Sequence, residues 1–481
     1  MPNPPSERSQ RPREPHARRP GTPATGRPPG HAAGSLKTPA GVGLAIVALI
    51  AVGIAFAGFM GGPAHDPNSV AIAGATTIPS DPASASDGPV VPTGAASPSA
   101  PPASAEPGPT STPSPAPTAT PLPSPSPRDP LVGVPVARLE KAVNSWRAKT
   151  GIPGLSVAIV WDDGRAWAGA AGKADIASKR AMTTGTGFAF ASVSKMFTSA
   201  VVQDLIREGK VHLDQPAADF LPEFRLDRRI TVRMLMDHRS SLPDFFSNAK
   251  IDRALQRHKN ATWTAAQAWK YVPKWRPTPG SIYDYSNTNY LLLGRLVEHV
   301  TGNPLAVEIR NRVLDPLELN TAWYQGAETP RAEGATPYRV TRVRGGSRAT
   351  PVAKPSTMMP FRSVVTAAGG AGSIAGTATD AARFVQAYGS GRLQGPKMYR
   401  EMVEDSKFTK AMHAIVTYGL GIQVITIEGQ KTLGHSGRYL GYQNTVRYLP
   451  QRGIAIAILT NQSTWDPAIL LHELIRIVAP K

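Results

Sequence analysis

Residues 188–210 read FAFASVSKMFTSAVVQDLIREGK, with apolar residues at helical spacing (Phe197, Val201, Leu205) and Gly209 placed to end the helix. Ser192 then falls in the first helical turn, and Lys195 lies one turn later on the same face. A serine hydroxyl is a poor nucleophile until a neighbour takes its proton, and an amine at i+3 is within reach. A helix N-terminus also offers free backbone N–H groups to a developing oxyanion. Taken alone, Ser-x-x-Lys is a common chance pattern, and a helix cap with a solvated lysine is the alternative. Here the lysine sits on a helix otherwise made for burial.

Two further segments join it. Tyr285-Ser286-Asn287 lies in PGSIYDYSNTNYLLLGRLVEHVTG, where a Pro-Gly turn precedes a helix striped by Tyr290, Leu293, Val297 and Val300. A phenol on that loop, close to a lysine ammonium, is expected to have a lowered pKa and to act as base or proton shuttle. Asn287 is expected to donate its amide to a substrate carbonyl; an ordinary packed aromatic and an N-cap are the alternatives for the two residues. The segment Leu433-Gly434-His435-Ser436-Gly437 reads as the end of a strand. Gly437 would let a ligand approach the backbone, the strand edge could pair with an extended peptide, and Arg438 could lend an oxyanion N–H. His435 and His238 are otherwise read as structural histidines.

The rest of the chain frames these motifs. Of 48 prolines, 29 fall at or before Pro130, so folding is expected from residue 130 onward, over a length that can bury a large core. Residues 1–37 are Pro/Arg/Gly-rich and read as a disordered cytoplasmic tail. Within 38–62, the uncharged run AGVGLAIVALIAVGIAFAGFMGG exceeds the ~20 residues a membrane-crossing helix needs. Seven Lys/Arg precede it against two Glu, which orients everything after it outward. A cleaved signal peptide is the alternative, but the run is longer than a signal core and no clean A-x-A site follows. Residues 63–129 read as a semi-rigid Pro/Ser/Ala/Thr stalk, and 130–481 as the folded domain.

The chain contains no cysteine, which excludes disulfides, thiolate catalysis and Cys-ligated zinc. Its net charge of +19 is spread without a dense Lys/Arg tract, so an anionic cell envelope is the expected surroundings and nucleic acid is not an expected partner. A helix at 136–149 and strands at 155–161 and 166–170 open the domain. Strands at 418–427, 432–434, 442–448 and 454–459 and a helix after Asp466-Pro467 close it. The middle reads as mainly helical. The expectation is an α+β fold: one antiparallel sheet built from both chain ends and flanked by helices, with a helical subdomain inserted.

Three motifs in this order, in these contexts, resemble the serine β-lactamase/penicillin-binding-protein group. PGLSVAIVWDDGRAWAGAAGKAD, ITVRMLMDHRSSLPDFF, YGLGIQV and GYQNTVRYLPQRGIAIAILTNQS resemble its class C β-lactamase and D-alanyl-D-alanine carboxypeptidase branch. The resemblance implies Ser192 as nucleophile, Lys195 and Tyr285 as the proton-transfer pair, and Asn287, His435, Ser436 and Gly437 as substrate contacts. It implies an oxyanion hole from the Ser192 and Arg438 N–H groups, a peptide or small ester substrate, and no metal or other cofactor. Two departures bear on the substrate. Class C enzymes carry Lys where His435 stands, and the carboxypeptidase branch places an arginine after its YGLG segment where this chain has Gln423. Esterases and D-amino-acid amidases share the motifs, and a non-catalytic envelope receptor binding muropeptides is the rival of another class.

Overall fold

The structure is a computed structural model that describes residues 131–274, 277–353, 358–404 and 416–480. The expected tail, membrane-spanning helix and stalk at 1–37, 38–62 and 63–129 lie outside the described residues. Among the described residues no helix is long and apolar enough to cross a membrane.

In chain order the principal elements are α1 (Val136–Thr150), β1 (Gly154–Trp161), β2 (Ala166–Gly172), β3 (Phe188–Ala189), α2 (Ser194–Arg207) and α3 (Asn287–Thr301). Then come β4 (Trp323–Tyr324), β5 (Tyr338–Val343), β6 (Gly346–Pro351), β7 (Ile374–Gly376) and α4 (Ala378–Gly389). The chain closes with β8 (Val416–Tyr418), β9 (Gln423–Ile427), β10 (Gln430–Tyr439), β11 (Tyr442–Leu449), β12 (Ile454–Thr460) and α5 (Ala468–Val478). Seven strands form an antiparallel sheet in the order β2-β1-β12-β11-β10-β9-β8. Its first and last strands in sequence are neighbours, with Val157 opposite Ile458, which is the sheet from both chain ends that the sequence implies.

Both faces of the central strands are covered, so they read as continuous apolar runs whose alternate residues go to different cores. Leu155, Val157 and Ile159 of β1 and Ile454, Ile456 and Ile458 of β12 pack with Leu139, Val143 and Trp146 of α1 and Leu470, Leu471 and Leu474 of α5. Ala158, Val160, Ala455, Ala457 and Leu459 face the opposite core, which holds Phe197 of α2 and Phe384 of α4. The rings of Phe197 and Phe384 stack, fixing α2 against the sheet-covering helix. Each such fully buried side chain contributes roughly 1.5–3 kcal/mol relative to exposure. Local signals close the elements: Gly151 caps α1 at φ +64°, and Asp466 Oδ1 accepts from Ala468 N–H at 2.9 Å to start α5.

Three expectations need correction. The strand expected at 418–427 is broken: Gly421 at φ +84° turns the chain between β8 and β9. The third motif lies inside a ten-residue strand, not at its end. The middle of the chain also holds strands, in the small sheet β3-β7-β4 and the hairpin β5-β6.

Candidate active site

Ser192 sits in a single 3₁₀ turn, Ala191–Val193, that runs directly into α2. Ala191 is held at φ +51°, a left-handed conformation that costs a non-glycine residue on the order of 1–3 kcal/mol. Surrounding contacts enforce it: Phe190 N–H bonds Ile374 O at 2.9 Å, Asn444 Nδ2 bonds Ala189 O at 2.8 Å, and Ile374 N–H bonds Ser194 Oγ at 3.0 Å. The result is a serine that keeps exposed surface between two buried neighbours.

One turn on, Lys195 is fully buried. Its Nζ lies 3.2 Å from Ser192 Oγ, 2.7 Å from Asn287 Oδ1 and 3.0 Å from Ala371 O. Burial lowers its ammonium to about 7, against the pull of the Asp244 charge in the other direction. A neutral amine has two N–H donors and one lone pair. With Asn287 Oδ1 and Ala371 O taking the donors, the lone pair faces the Ser192 hydroxyl.

Tyr285 is buried on the loop entering α3. Its ring face, not its hydroxyl, meets Lys195: Nζ lies 4.9 Å from the ring centroid. The expected lowering of its pKa does not occur. Burial pushes the phenol well above its ordinary value, and the Ser192 hydroxyl beside it offsets only part of that. Held up by burial, the phenol is protonated at neutral pH and stands beside the Ser192 hydroxyl; among the described residues it closes no hydrogen bond. The group that burial brings toward neutrality is the lysine.

Asn287 Nδ2 donates one of its two amide hydrogens to Asp244 Oδ2 at 2.7 Å, so the carboxamide bridges Lys195 and Asp244. His238 is structural: Nδ1 lies 3.1 Å from Ser286 N–H and 3.2 Å from Asn289 Nδ2. Accepting there makes the ring neutral, and burial keeps it so. Its ring packs at a tilt of 36° against that of Tyr285, with centroids 4.3 Å apart, and seats the second motif.

On β10, His435 is buried, with Nδ1 2.5 Å from Ser436 O and Nε2 3.0 Å from Tyr418 Oη. Burial and the Lys195 charge hold it neutral, so it supplies no cation. Strand β9 pairs with β10 only as far as Gly434, and beyond it the strand edge faces the Ser192 turn. Ser436 N–H points to that edge, where Gln423 Oε1 accepts it at 3.1 Å. The two-residue alternation puts Arg438 N–H on the same edge. Gly437 is required here, because a Cβ would lie 2.2 Å from Phe190 O. That close approach brings the Arg438 backbone beside the Ser192 turn.

Behind this edge stands a cation that the sequence reading did not assign. Arg447 of β11 is buried, and its Nη2 bonds Gln423 Oε1 at 2.7 Å and Ser436 Oγ at 2.9 Å. Burial lowers it to about 9, which still leaves it charged at neutral pH. Asp244 was missed as well, although it lies in the MDHRSSLPD segment, where only the histidine drew notice. Spacing along one chain carries no information about a contact made between two loops.

The family model for Beta-lactamase matches residues 137–479, and the chain belongs to that family. It is similar to Penicillin-binding protein 4 of Amycolatopsis lactamdurans, 28% identical over 343 residues that cover 68% of this chain and 85% of the relative. A D-aminopeptidase of Brucella anthropi is 28% identical over 294 residues, covering 60% of this chain and 52% of the relative. The chain therefore spans about half the length of that aminopeptidase. Among solved structures, D-stereospecific amidohydrolase from a Streptomyces species shares the fold at TM-score 0.60 and 24% identity, over 72% of this chain and 99% of that one. D-amino acid amidase from Ochrobactrum anthropi does so at TM-score 0.60 and 24% identity, over 72% and 97%. By family this chain is a serine β-lactamase-type hydrolase.

Proposed function

We propose that the protein forms an acyl-enzyme at Ser192 and cleaves peptides ending in D-amino acids, of the cell-wall stem-peptide type. Lys195 takes the Ser192 proton as Oγ attacks the carbonyl carbon. The Ser192 and Arg438 N–H groups hold the oxyanion. The C–N bond breaks as Tyr285 hands its proton to the leaving nitrogen, and the proton that Lys195 removed returns to the phenolate through the incoming water. Water then attacks the acyl carbon, the C–Oγ bond breaks, and the proton returns to Oγ. The observation that carries this reading is the Lys195 amine, lowered toward neutrality by burial and 3.2 Å from Ser192 Oγ. An extended substrate would pair with β10 beyond Gly434, with Ser436 Oγ as a polar contact. Residues 38–62 would anchor the domain on the outer side of a membrane, which rests on the apolar run and its basic N-terminal flank.

A second reading, an esterase or D-amino-acid amidase, is favoured by one observation: Gln423 and a neutral His435 line the edge, and the Arg447 behind it is buried. Incubating the protein with a fluorescent penicillin and with a p-nitrophenyl ester, followed by peptide mass spectrometry, tests acylation. The label is expected on Ser192 and lost in Ser192→Ala; equal labelling or turnover in that variant overturns the proposal, and a wild type that neither labels nor turns over any substrate leaves the muropeptide-binding receptor. Comparing D-Ala-D-Ala peptides with D-amino-acid amides then separates the two enzyme readings.

A further inference from the structure

We propose that Asp244 is a positioning residue for Lys195, acting through the carboxamide of Asn287 to orient the amine and set its charge. The inference rests on the reading of Ser192 and Lys195 given above and deepens it.

The chemistry of the three groups fixes the order of the chain. Lys195 has no acceptor when charged, so the carboxamide must turn its oxygen to Nζ, at 2.7 Å. The amide nitrogen is thereby turned to a carboxylate, which has no donor, and Asp244 Oδ2 meets it at 2.7 Å. The other Asp244 oxygen accepts Phe246 N–H at 2.9 Å, which anchors the carboxylate to the backbone of its own turn. Asp244 is therefore locked at both oxygens, and Asn287 at both ends of its amide.

The interposed amide has a consequence for the charge. A direct ion pair would hold Lys195 protonated and useless as a base, while burial without an acid nearby would neutralise it far below neutrality. One carboxamide of separation gives an intermediate pull. The groups facing Lys195 are the Ser192 hydroxyl, the Ala371 carbonyl, the ring faces of Tyr285 and Tyr290, and the neutral, buried imidazoles of His238 and His435. None of these is an anion, so the negative charge that reaches the amine through this path is that of Asp244, whose carboxyl burial raises and which the Phe246 N–H, the Lys195 charge and the Asn287 amide pull back toward ionisation.

The test is the pH profile of Ser192 acylation in Asp244→Asn and in Asp244→Ser. Both variants keep a side-chain acceptor for Phe246 N–H, and neither carries the charge. Removing the anion makes the ammonium less favoured, so the acid limb is expected to move to lower pH by about one unit, a tenfold change in rate on that limb. A purely structural Asp244 would lower activity or melting temperature and leave the limb in place, and an unmoved limb in whichever variant folds overturns the proposal. Lysine side-chain NMR titration in Ser192→Ala, with and without Asp244→Asn, reads the same displacement without any turnover. If Ser192 is not the nucleophile, acylation fails in the wild type; if Asp244 does not act on Lys195, the two titrations coincide.

Discussion

Replacing Gly437 by alanine should cost acylation about a hundredfold while leaving the protein folded. The added Cβ would stand 2.2 Å from Phe190 O and 3.3 Å from Val193 Cγ2. Reaching even 3.0 Å requires β10 and the Ser192 turn to part by about 0.8 Å. The Phe190 carbonyl cannot give way alone, because Phe190 N–H is tied to Ile374 and the next residue is the constrained Ala191. The separation therefore falls between the Ser192 and Arg438 N–H groups. Misplacement of reacting groups by about 1 Å costs on the order of 10²-fold, and losing one oxyanion donor costs a comparable factor, close to 3 kcal/mol of barrier. Stopped-flow acylation by a p-nitrophenyl ester measures the rate, and calorimetry verifies that the melting transition persists. A folded Gly437→Ala protein acylating within about threefold of wild type would refute the assignment of this edge to the oxyanion.

Two other substitutions probe the frame. Asp175 is buried and accepts Ser178 N–H at 2.6 Å, Ser178 Oγ at 2.8 Å and Thr336 Oγ1 at 2.6 Å, bonds that hold its carboxyl down at about 2. A depressed acid stabilises the fold above its unfolded pKa and loses that contribution as pH falls through the folded one. Asp175→Asn is therefore expected to cost about 2 kcal/mol at neutral pH, with the gap in melting temperature closing between about pH 4 and pH 2; a gap independent of pH would contradict this. Arg447→Met removes a buried cation whose Nε and Nη1 have no hydrogen-bond partner among the described residues. It is expected to change stability little, yet to raise KM about tenfold for peptides ending in a free carboxylate and not for neutral esters. Equal effects on both substrate kinds would count against a role for Arg447 behind Ser436.

The sheet was legible because β12 carries an unbroken apolar run and β1 one interrupted only by Ser156, and Ser192 and Lys195 because a turn running directly into a helix fixes their spacing. For Tyr285 only the direction of its pKa was misjudged: the sequence does not show how deeply the phenol is buried, and burial raises it. The tie from Asn287 to Asp244 was not legible, because Asp244 stands on a loop 43 positions earlier and no periodicity joins them. The small sheet and the β5-β6 hairpin escaped notice because β3 and β4 are two residues long, too short for alternation to register, and Tyr338–Pro351 is largely exposed and polar.

The pairing of β1 with β12 has a consequence for how the domain comes into being. The strand at residue 154 waits for one that ends at residue 460 before it gains its inner neighbour. Closing so long a loop is slow and must precede the contacts that reward it. A ribosome that stalls anywhere short of β12 leaves the Ser192 helix translated and the sheet still without its central strand.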